Sequence, residues 1–569
     1  MSSRREIPAG SREAHAGKGW PLALVGSVLL IASGLLSWSY DPSILEDVSV
    51  TMWPASVQLF AMFIGLAGLV LALAHRGPLA RLGAWFDTAA GLRALGLGAI
   101  GFVVLSLVAI AWQAGGLVNI DPGGWLALLA ALLIAVGGLL LPTPRLRSLA
   151  KALTRPILEI LTIVVLMALV LFGSAYVLGR NDPWVFILFL VMVAVITAAL
   201  AKARFFTWLS HVAQRHRPVL TLAAFVVAFL FPFTQDGSDA NMSIATQVLI
   251  FAATAIGLNI VVGLAGLLDL GYIAFLGSGA YVAAMMSHAA SATIGFKPPF
   301  IVVMLIGACV AATFGLIIGS PTLRVSGDYL AIVTLAFGEI FRLSMFNLDG
   351  NNGPDLTNGP NGIPGIPDLN FFGFDFGKPH TVFGFQLGRF SNYYFLLLLL
   401  VGFVILVFTR LNNSRIGRGW VAIREDERAA EAMGVNTFAL KLFAFAGGAF
   451  LAGLAGTIKA HQDTASSPDQ YIFLESAFLL AAVVLGGMGT VAGVLIGATI
   501  LKLLPEKLRF FSEYRLLLFG LLLVLMMRFR PEGIIASKRR QLEFHEEDEE
   551  LMDEIQQDHL IDVDAESRA

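Results

Sequence analysis

Apolar runs long enough to cross a membrane recur along the chain. A membrane-spanning helix needs about 20 consecutive, mostly apolar residues. Such runs begin near Trp20, Trp53, Leu92, Gly124, Pro156, Trp184, Pro218, Ser243, Asp269, Phe300, Gly327, Asn392, Phe438, Glu475 and Tyr514. Hydrophobic residues make up 57% of the chain and charged residues 14%, which excludes a string of soluble domains. We therefore predict an all-α polytopic membrane protein with about 15 transmembrane helices.

The positions of Lys and Arg predict the orientation of these helices. Both residue types are enriched in cytoplasmic loops. They are frequent in segments 1–19, 76–93, 143–155 and 202–217 and absent from segments 41–52, 115–123 and 235–242. We therefore predict a cytoplasmic N-terminus, and counting crossings places segment 414–436 in the cytoplasm too. Basic residues between 528 and 540 predict a cytoplasmic C-terminus.

The composition changes along the chain and predicts three parts. Residues 1–210 form an extension of about six transmembrane helices with few polar residues inside them. Residues 211–537 are richer in glycine and in polar residues within apolar runs, so we expect this block to hold the working part. Residues 538–569 are strongly acidic and are predicted to be a disordered cytoplasmic tail.

A glycine cluster interrupts the apolar run that begins at Glu475. Gly486, Gly487 and Gly489 lie in the middle of this run, where they favour a break into two half-helices. A single crossing here would place the C-terminus outside, against the evidence of its basic residues. We therefore predict a broken or re-entrant element.

A charged segment from Ser414 to Asn436 separates two apolar runs. Good helix formers from Trp420 to Met433, followed by Gly434, predict one helix with a glycine C-cap. The predicted apolar face consists of Trp420, Ile423, Ala430 and Met433, and the charged faces of Arg424, Glu425, Glu427, Arg428 and Glu431. This pattern is typical of a helix that docks on a partner, and equally of a solvated connector.

Two stretches contain polar residues at membrane depth and are candidates for a translocation path. The stretch 257–281 is rich in glycine, which permits either close helix packing or local unwinding. The helix beginning near Gly327 has a small or polar face that ends in arginine. The candidate path residues are Asn259, Asp269, Ser278, Tyr281, Thr334, Glu339 and Arg342. Glu339 lies three residues before Arg342 and is expected to pair with it, so a structural ion pair is the alternative.

The segment 349–367 is almost entirely turn formers and is predicted to lie outside the membrane. Such a long loop either receives a partner or is untethered.

The sequence contains no phosphate-binding G-x-x-x-x-G-K-[ST] loop, no H-E-x-x-H motif and no metal-ligand spacing. We therefore predict no catalytic and no metal site, and any ATP that drives this protein is hydrolysed by another chain.

Six ordered motifs between Arg217 and Ala536 carry a resemblance to a known family. They are GLNIVVGLAGLLDLGYIAFLGSGAY (257–281), PTLRVSGDYLAIVTLAFGEIFRL (321–343), NGPNGIPGI (358–366), SRIGRGWVAIREDERAAEAMGV (414–435), VVLGGMGTVAGVLIGA (483–498) and FRPEGI (529–534). Together they resemble the LivM-type permease subunit of branched-chain amino acid ABC importers. The first 200 residues are poorly covered by this resemblance.

The resemblance implies a multi-subunit importer in a bacterial inner membrane. Its partners are a second homologous permease, two ATP-binding subunits and a periplasmic substrate-binding protein; no nucleic acid is expected. This chain then binds no cofactor itself, and the partner subunits use ATP. The segment 414–436 looks like the coupling helix, with Ala429, Ala430 and Gly434 matching A-A-x-x-x-G, although Arg428 stands where the wider motif has Glu. The resemblance also implies a docking loop for the binding protein, formed by Asn358, Gly359, Pro360, Asn361 and Gly362.

Three alternatives remain open from the sequence. Urea and short-chain amide importers use similar permeases. The sequence therefore identifies the type of transporter more firmly than it identifies the transported substrate. A secondary transporter would need an intramembrane carboxylate, for which Asp269 and Glu339 are the candidates. A purely structural membrane subunit would need no coupling helix.

Overall fold

The structure is a computed structural model. It describes residues 9–41, 56–142, 156–179, 182–323 and 329–507 except 352, 372 and 383, together with isolated positions between 514 and 535. By their internal contacts, the residues divide into two compact units between Gln235 and Asp236. The sequence-based boundaries near residues 210 and 537 stay predictions, and the acidic tail 538–569 lies outside the described residues.

Helices account for most of the described residues. They are α1 (Ala9–Ser33), α2 (Ser56–His75), α3 (Ala80–Gly83), α4 (Thr88–Ala114), α5 (Pro122–Leu140), α6 (Pro156–Leu178), α7 (Pro183–Lys202), α8 (Phe205–Arg215), α9 (Arg217–Leu230), α10 (Asp239–Asn259), α11 (Ile273–Met285), α12 (Phe300–Thr322), α13 (Tyr329–Asn347), α14 (Arg389–Asn412), α15 (Arg415–Glu425), α16 (Glu427–Ala432), α17 (Thr437–Asp463), α18 (Phe473–Gly486) and α19 (Val491–Lys507). The strands are β1 (Ile363–Pro364), β2 (Asn370–Phe371), β3 (Phe374–Asp375), β4 (His380–Val382), β5 (Phe385–Leu387) and β6 (Ala465–Ser466). They form antiparallel pairs β1–β6, β2–β3 and β4–β5.

The predicted polytopic fold is confirmed. Among the described residues, 12 helices are long and apolar enough to cross a membrane, and Gly19–Ser33 and Ile273–Met285 are shorter apolar helices. The run predicted to begin at Asp269 starts as a helix only at Ile273. The crossing predicted from Tyr514 falls largely outside the described residues. The cytoplasmic positions of both termini stay predictions.

In the first unit, the closest helix packing depends on glycine. Helix α5 lies so near α1 that a Cβ on Gly137 would be 2.5 Å from the Ala23 nitrogen. A buried Glu159 on α6 accepts hydrogen bonds from Arg215 at 2.7 Å and from His216 at 2.8 Å. This group anchors the amphipathic helix α8, which ends at Arg215 in the basic stretch that precedes the second unit.

In the second unit, α17 is the central helix and packs against α11 and α12. A Cβ on Gly453 would lie 2.8 Å from the Ala308 Cα, and one on Gly456 would lie 2.9 Å from the Leu276 carbonyl carbon. Helices in lipid associate through close contact of small residues, because lipid supplies little hydrophobic drive. The glycines of α17 therefore determine how closely its neighbours approach.

Two helices of the second unit are interrupted where glycine clusters predict it. After α10, a π-helical turn covers Ile260–Leu264 and the chain then unwinds until Ile273, with φ of +72° at Gly266. Helix α18 ends at Gly486 and α19 begins at Val491, with φ of +117° at Gly487. The predicted break in the run from Glu475 is therefore confirmed. The two halves pack against each other, since a Cβ on Gly486 would lie 2.8 Å from the Val494 nitrogen.

The crowding around Gly456 gives a testable expectation. Gly456→Val inserts atoms against the backbone of α11, and overpacking of this kind costs about 1–3 kcal/mol. Gly447→Val on the same helix is the matched control, because no atom of the residues that the structure describes lies within 4 Å of the added Cβ. Thermal unfolding of the purified chain in detergent should show a lower Tm for Gly456→Val than for Gly447→Val. Equal Tm values would contradict this packing.

Candidate functional site

The charged segment 414–436 forms two helices rather than the single predicted one. Ser414 caps α15 by accepting a hydrogen bond from the Gly417 amide at 3.2 Å. Asp426 adopts an extended conformation (φ −152°, ψ 107°) and caps α16 by accepting a hydrogen bond from the Ala429 amide at 3.0 Å. The prediction of one continuous helix is wrong because the Asp side chain satisfies the amides of a new helix start better than those of a helix interior. The predicted left-handed C-cap at Gly434 is confirmed by its φ of +82°.

The apolar face of the segment is only partly as predicted. Trp420, Ile423 and Ala430 are buried, and the Trp420 indole donates a hydrogen bond to the Leu440 carbonyl at 2.7 Å. Met433, predicted on the same face, is 84% exposed. The break at Asp426 changes the direction of α16, so the helical register that starts at Trp420 does not extend to Met433.

The charged residues of the segment divide between the protein and the solvent. Arg424 donates a hydrogen bond to the Gly263 carbonyl at 2.5 Å, and Glu427 forms an ion pair with Lys441 of α17. The residues predicted to couple to an ATP-binding subunit are Arg424, Glu425, Glu427, Arg428, Ala429, Ala430 and Gly434. All of them except Arg424 and Ala430 are exposed. The segment therefore holds the interrupted helix through Arg424 and presents a second surface outward.

The two helix interruptions contact each other through Asn259. This buried side chain accepts a hydrogen bond from the Gly489 amide at 2.8 Å and donates one to the Thr490 carbonyl at 3.3 Å. Asn259 is thus bonded to the break between α18 and α19. Both polar side-chain atoms of Asn259 therefore have partners within the described residues.

The unwound chain between Leu264 and Ile273 is held by its own Asp269 and by side chains of two helices. Asp269, itself buried, accepts a hydrogen bond from the Gly271 amide at 2.9 Å. Thr334 of α13 accepts one from the Leu270 amide at 3.0 Å, and Ser476 of α18 accepts one from the Ile273 amide at 3.0 Å. These bonds replace the intrahelical bonds that the interruption removes, as a membrane interior requires.

The small face of α13 packs where the sequence predicts contact. Ala331, Thr334 and Gly338 are buried, and a Cβ on Gly338 would lie 3.1 Å from the Gly271 Cα. Gly327, also predicted on this face, lies outside the described residues. Close packing at this face allows Thr334 to reach the unwound chain.

Ser278 and Tyr281 lie on α11 and are both buried. Ser278 donates a hydrogen bond to the Phe275 carbonyl of its own helix at 2.8 Å. The Tyr281 ring contacts the rings of Phe341 and Tyr471 at centroid distances of 6.1 and 5.9 Å. The Tyr281 hydroxyl has no hydrogen-bond partner within the described parts of the chain.

Glu339 and Arg342 form the predicted ion pair. The Arg342 Nε lies 3.0 Å from Glu339 Oε1 and 3.1 Å from Oε2, and Asp469 lies 3.7 Å from the same guanidinium. Both side chains of the pair are partly exposed. This geometry matches the local ion pair that the sequence offers as the alternative to a path role.

The loop between α13 and α14 is tied to the strand that follows α17, so the alternative of an untethered loop is wrong. Gly362 has φ of +65°, and the following strand β1 pairs with β6 at Ile363–Ser466 and Pro364–Ala465. Asn358 donates a hydrogen bond to the Gly362 carbonyl at 2.8 Å. Within the predicted docking set, Asn358 is half-buried, Gly359 and Gly362 are buried, and Pro360 and Asn361 are exposed.

The same loop carries the two hairpins β2–β3 and β4–β5. The Gly377 amide donates a hydrogen bond to Asp375 at 3.0 Å, and Lys378 lies 3.1 Å from the same carboxylate. These hydrogen bonds, first from Gly377 and then from Lys378, hold the pKa of Asp375 below its ordinary value. The Asp375 carboxylate therefore stays ionised at neutral pH.

A polar cavity in the second unit is absent from the sequence-based candidates. Its volume is about 260 Å³. The polar residues that line it are Gln247, Lys459, Asp463, Gln470, Glu475 and Lys502. The apolar residues are Ile250, Phe251, Ile273 and Leu276. A signal was present in the sequence, because Lys459 and Lys502 each lie inside an apolar run, where ionisable residues are costly and usually functional.

The charges of this polar cavity form two opposite-charge pairs. Lys459 pairs with Asp463 and donates a hydrogen bond to Gln470 at 2.8 Å. Lys502 pairs with Glu475 at 2.8 Å. Each ammonium group also lies near an aromatic ring, Lys459 at 5.6 Å from Tyr471 and Lys502 at 4.7 Å from Phe251. The cavity thus combines balanced charge with an apolar wall.

Residues 241–527 match the family model described as "Branched-chain amino acid transport system / permease component". The chain is 40% identical over 335 residues to the high-affinity branched-chain amino acid transport system permease protein LivM of Salmonella typhimurium. That match covers 56% of this chain and 75% of the relative. LivM of Escherichia coli K12 matches with the same identity, length and coverage.

A more distant relative is the ribose import permease protein RbsC of Haemophilus influenzae. It is 26% identical over 313 residues, which cover 53% of this chain and 87% of the relative. No solved structure matches the chain. The matched region begins in α10 and includes every candidate site described above, whereas the first unit lies outside it.

Proposed function

Since the chain belongs to the family of branched-chain amino acid transport permease components, we propose that it forms the translocation path of an ATP-driven importer for leucine, isoleucine and valine. The observation that carries this proposal is the 40% identity to LivM across 335 residues. The relatives named above are permeases, so the chemistry assigned to this chain is passage of a solute rather than conversion of a substrate.

We infer that the chain works with separate subunits in a bacterial inner membrane. The assembly contains a second homologous permease, two ATP-binding subunits and a periplasmic binding protein, and both termini of this chain lie in the cytoplasm. ATP is hydrolysed by the ATP-binding subunits. The exposed surface of α16 and of the turn that follows it, which includes Ala429, Met433 and Gly434, supports docking of an ATP-binding subunit there.

The contacts of α15 suggest how ATP-driven closure reaches the membrane helices. A force on α16 passes to α17 through the Glu427–Lys441 ion pair. It passes to the interrupted helix through the hydrogen bond from Arg424 to Gly263. Because α10, α18 and α19 are joined at Asn259, both interruptions move with the coupling segment, and the path opens alternately to the two sides.

The exposed Pro360 and Asn361 are the proposed contact for the binding protein. They lie on a loop whose strand β1 pairs with β6. Strand β6 directly follows the end of α17. A protein that docks on this loop therefore acts on α17, which also contacts the coupling segment 414–436 through Lys441. The two proposed docking surfaces are connected through α17.

Uptake of labelled leucine tests the proposed function. We expect deletion of this chain to abolish leucine uptake that persists in the presence of an uncoupler, because ATP and not an ion gradient drives the import. Excess unlabelled urea should not compete. Unchanged leucine uptake on deletion would contradict the proposed substrate, and uptake abolished by the uncoupler would favour a secondary transporter.

A substitution at Gly434 tests the coupling segment. Gly434→Leu forces a branched side chain into a left-handed conformation, which costs about 1–2 kcal/mol. This cost lowers the equilibrium constant for the native conformation of the segment about tenfold. We expect leucine uptake per ATP hydrolysed to fall in the reconstituted transporter. Gly434→Asn is the matched control, because Asn tolerates positive φ. Wild-type coupling in Gly434→Leu would contradict the assignment.

A further inference from the structure

The polar cavity defined above has the composition of a site for a small zwitterion. We propose that it binds an α-amino acid with an aliphatic side chain, with Lys459 and Lys502 facing the carboxylate and Asp463 and Glu475 facing the ammonium group. The proposal rests on the proposed function for the identity of the transported class. It adds the place on this chain where that solute binds.

The charge balance of the cavity selects a zwitterion. Two cations and two anions sum to zero, and each is paired with an opposite charge inside the site. A ligand that brings one carboxylate and one ammonium group adds contacts to both signs and leaves no charge uncompensated. A ligand with only one charge would leave the site with a net charge in a poorly solvated environment, which is costly.

The four charged side chains remain accessible to a ligand. Their exposed fractions are 17% for Lys459, 22% for Asp463, 26% for Lys502 and 30% for Glu475. They are therefore neither sealed in the protein core nor freely solvated. The aromatic rings of Tyr471 and Phe251 lie 5.6 and 4.7 Å from the ammonium groups and stabilise them when a carboxylate turns towards a ligand.

The apolar wall of the cavity suits an aliphatic side chain. Ile250 and Phe251 belong to α10, and Ile273 and Leu276 belong to α11, so both helices that flank the unwound chain contribute. The volume of about 260 Å³ lies below the range of roughly 300–1,000 Å³ for sites of drug-sized ligands. A cavity of this size accommodates a small solute such as a single amino acid.

Stability alone is a weak explanation for these ion pairs. Replacing a desolvated ion pair by apolar residues of similar volume is often neutral or stabilising, so such a pair is weak evidence for a purely structural role. The Lys502–Glu475 pair joins α19 to α18, whereas Lys459 pairs with Asp463 within α17 and joins α17 to the turn that contains Gln470 by a hydrogen bond. A ligand that exchanges with these bonds would therefore change how the helices are connected.

The cavity is also connected to the loop that carries Pro360 and Asn361. Asp463 ends α17 and is followed within two residues by β6, which pairs with β1 of the loop. Arg389 donates hydrogen bonds at 3.0 Å to the carbonyls of His461 and Gln462, which fixes the backbone just before Asp463. A protein that docks on the loop would act on one wall of the site.

Thermal unfolding of the purified full-length chain tests the proposal. The probes are L-leucine, 4-methylpentanoate, which lacks the ammonium group, 3-methylbutylamine, which lacks the carboxylate, and urea. We expect L-leucine at 100-fold excess over its Kd to raise the Tm by about 3 °C. The other three compounds should leave the Tm unchanged, because none supplies both charges.

A double variant provides the test of the residues. Glu475→Leu with Lys502→Met removes both charges of one pair together and leaves neither partner unpaired. We expect this variant to unfold near the wild-type Tm without ligand and to lose the shift with L-leucine. The matched control is Asp375→Leu with Lys378→Met, which removes an ion pair of the loop outside the cavity and should retain the shift.

Two results would overturn the proposal. One is a wild-type chain whose Tm does not respond to L-leucine, and the other is a Glu475→Leu/Lys502→Met variant that responds as the wild type does. Failure of the proposed function gives a different pattern. In that case L-leucine still shifts the Tm of the wild-type chain, but leucine uptake by cells does not depend on this chain.

Discussion

The unwound chain between Leu264 and Ile273 is the constraint on which the second unit depends. A membrane interior offers no water to satisfy backbone groups, so an interrupted helix persists only where side chains replace the lost bonds. Thr334, Ser476 and Asp269 supply acceptors for the amides, and Arg424 supplies a donor for the Gly263 carbonyl. The positions of Thr334 on α13, Ser476 on α18 and Arg424 on α15 beside the interruption follow from this requirement.

The same interruption places the proposed functional parts next to one another. Asn259 joins it to the break between α18 and α19, and a Cβ on Gly263 would lie only 2.6 Å from the Gly489 nitrogen. The helices that continue from these two breaks, α11 and α19, carry part of the polar cavity. A displacement of the coupling segment therefore has a short physical route through Arg424 to the residues proposed to hold the solute.

Local signals predicted much of this architecture, whereas contacts between distant residues were beyond them. Glycine clusters indicated both helix breaks, and small residues at helical spacing indicated the buried face that contains Thr334. The helix break at Asp426 was missed because a mid-helix Asp reads as an ordinary charged residue until its capping bond is seen. The polar cavity was missed because Lys502 and its partner Glu475 are separated by 27 positions, so periodicity cannot pair them.

The central claim is that the coupling segment and the interrupted helix move as one body. A Cβ on Gly266 would lie 3.2 Å from the Arg424 Cβ, close to the spacing of about 3.8 Å in a disulfide. Gly266→Cys with Arg424→Cys, in a Cys309→Ser background, allows the two to be cross-linked in the reconstituted transporter. Because Arg424→Cys removes the hydrogen bond to the Gly263 carbonyl, the account predicts that ATP-driven leucine uptake is low in the reduced variant and rises on oxidation, when the disulfide replaces that bond. Uptake that is lost on oxidation and restored by reduction would contradict it, because the two parts would then have to separate during transport.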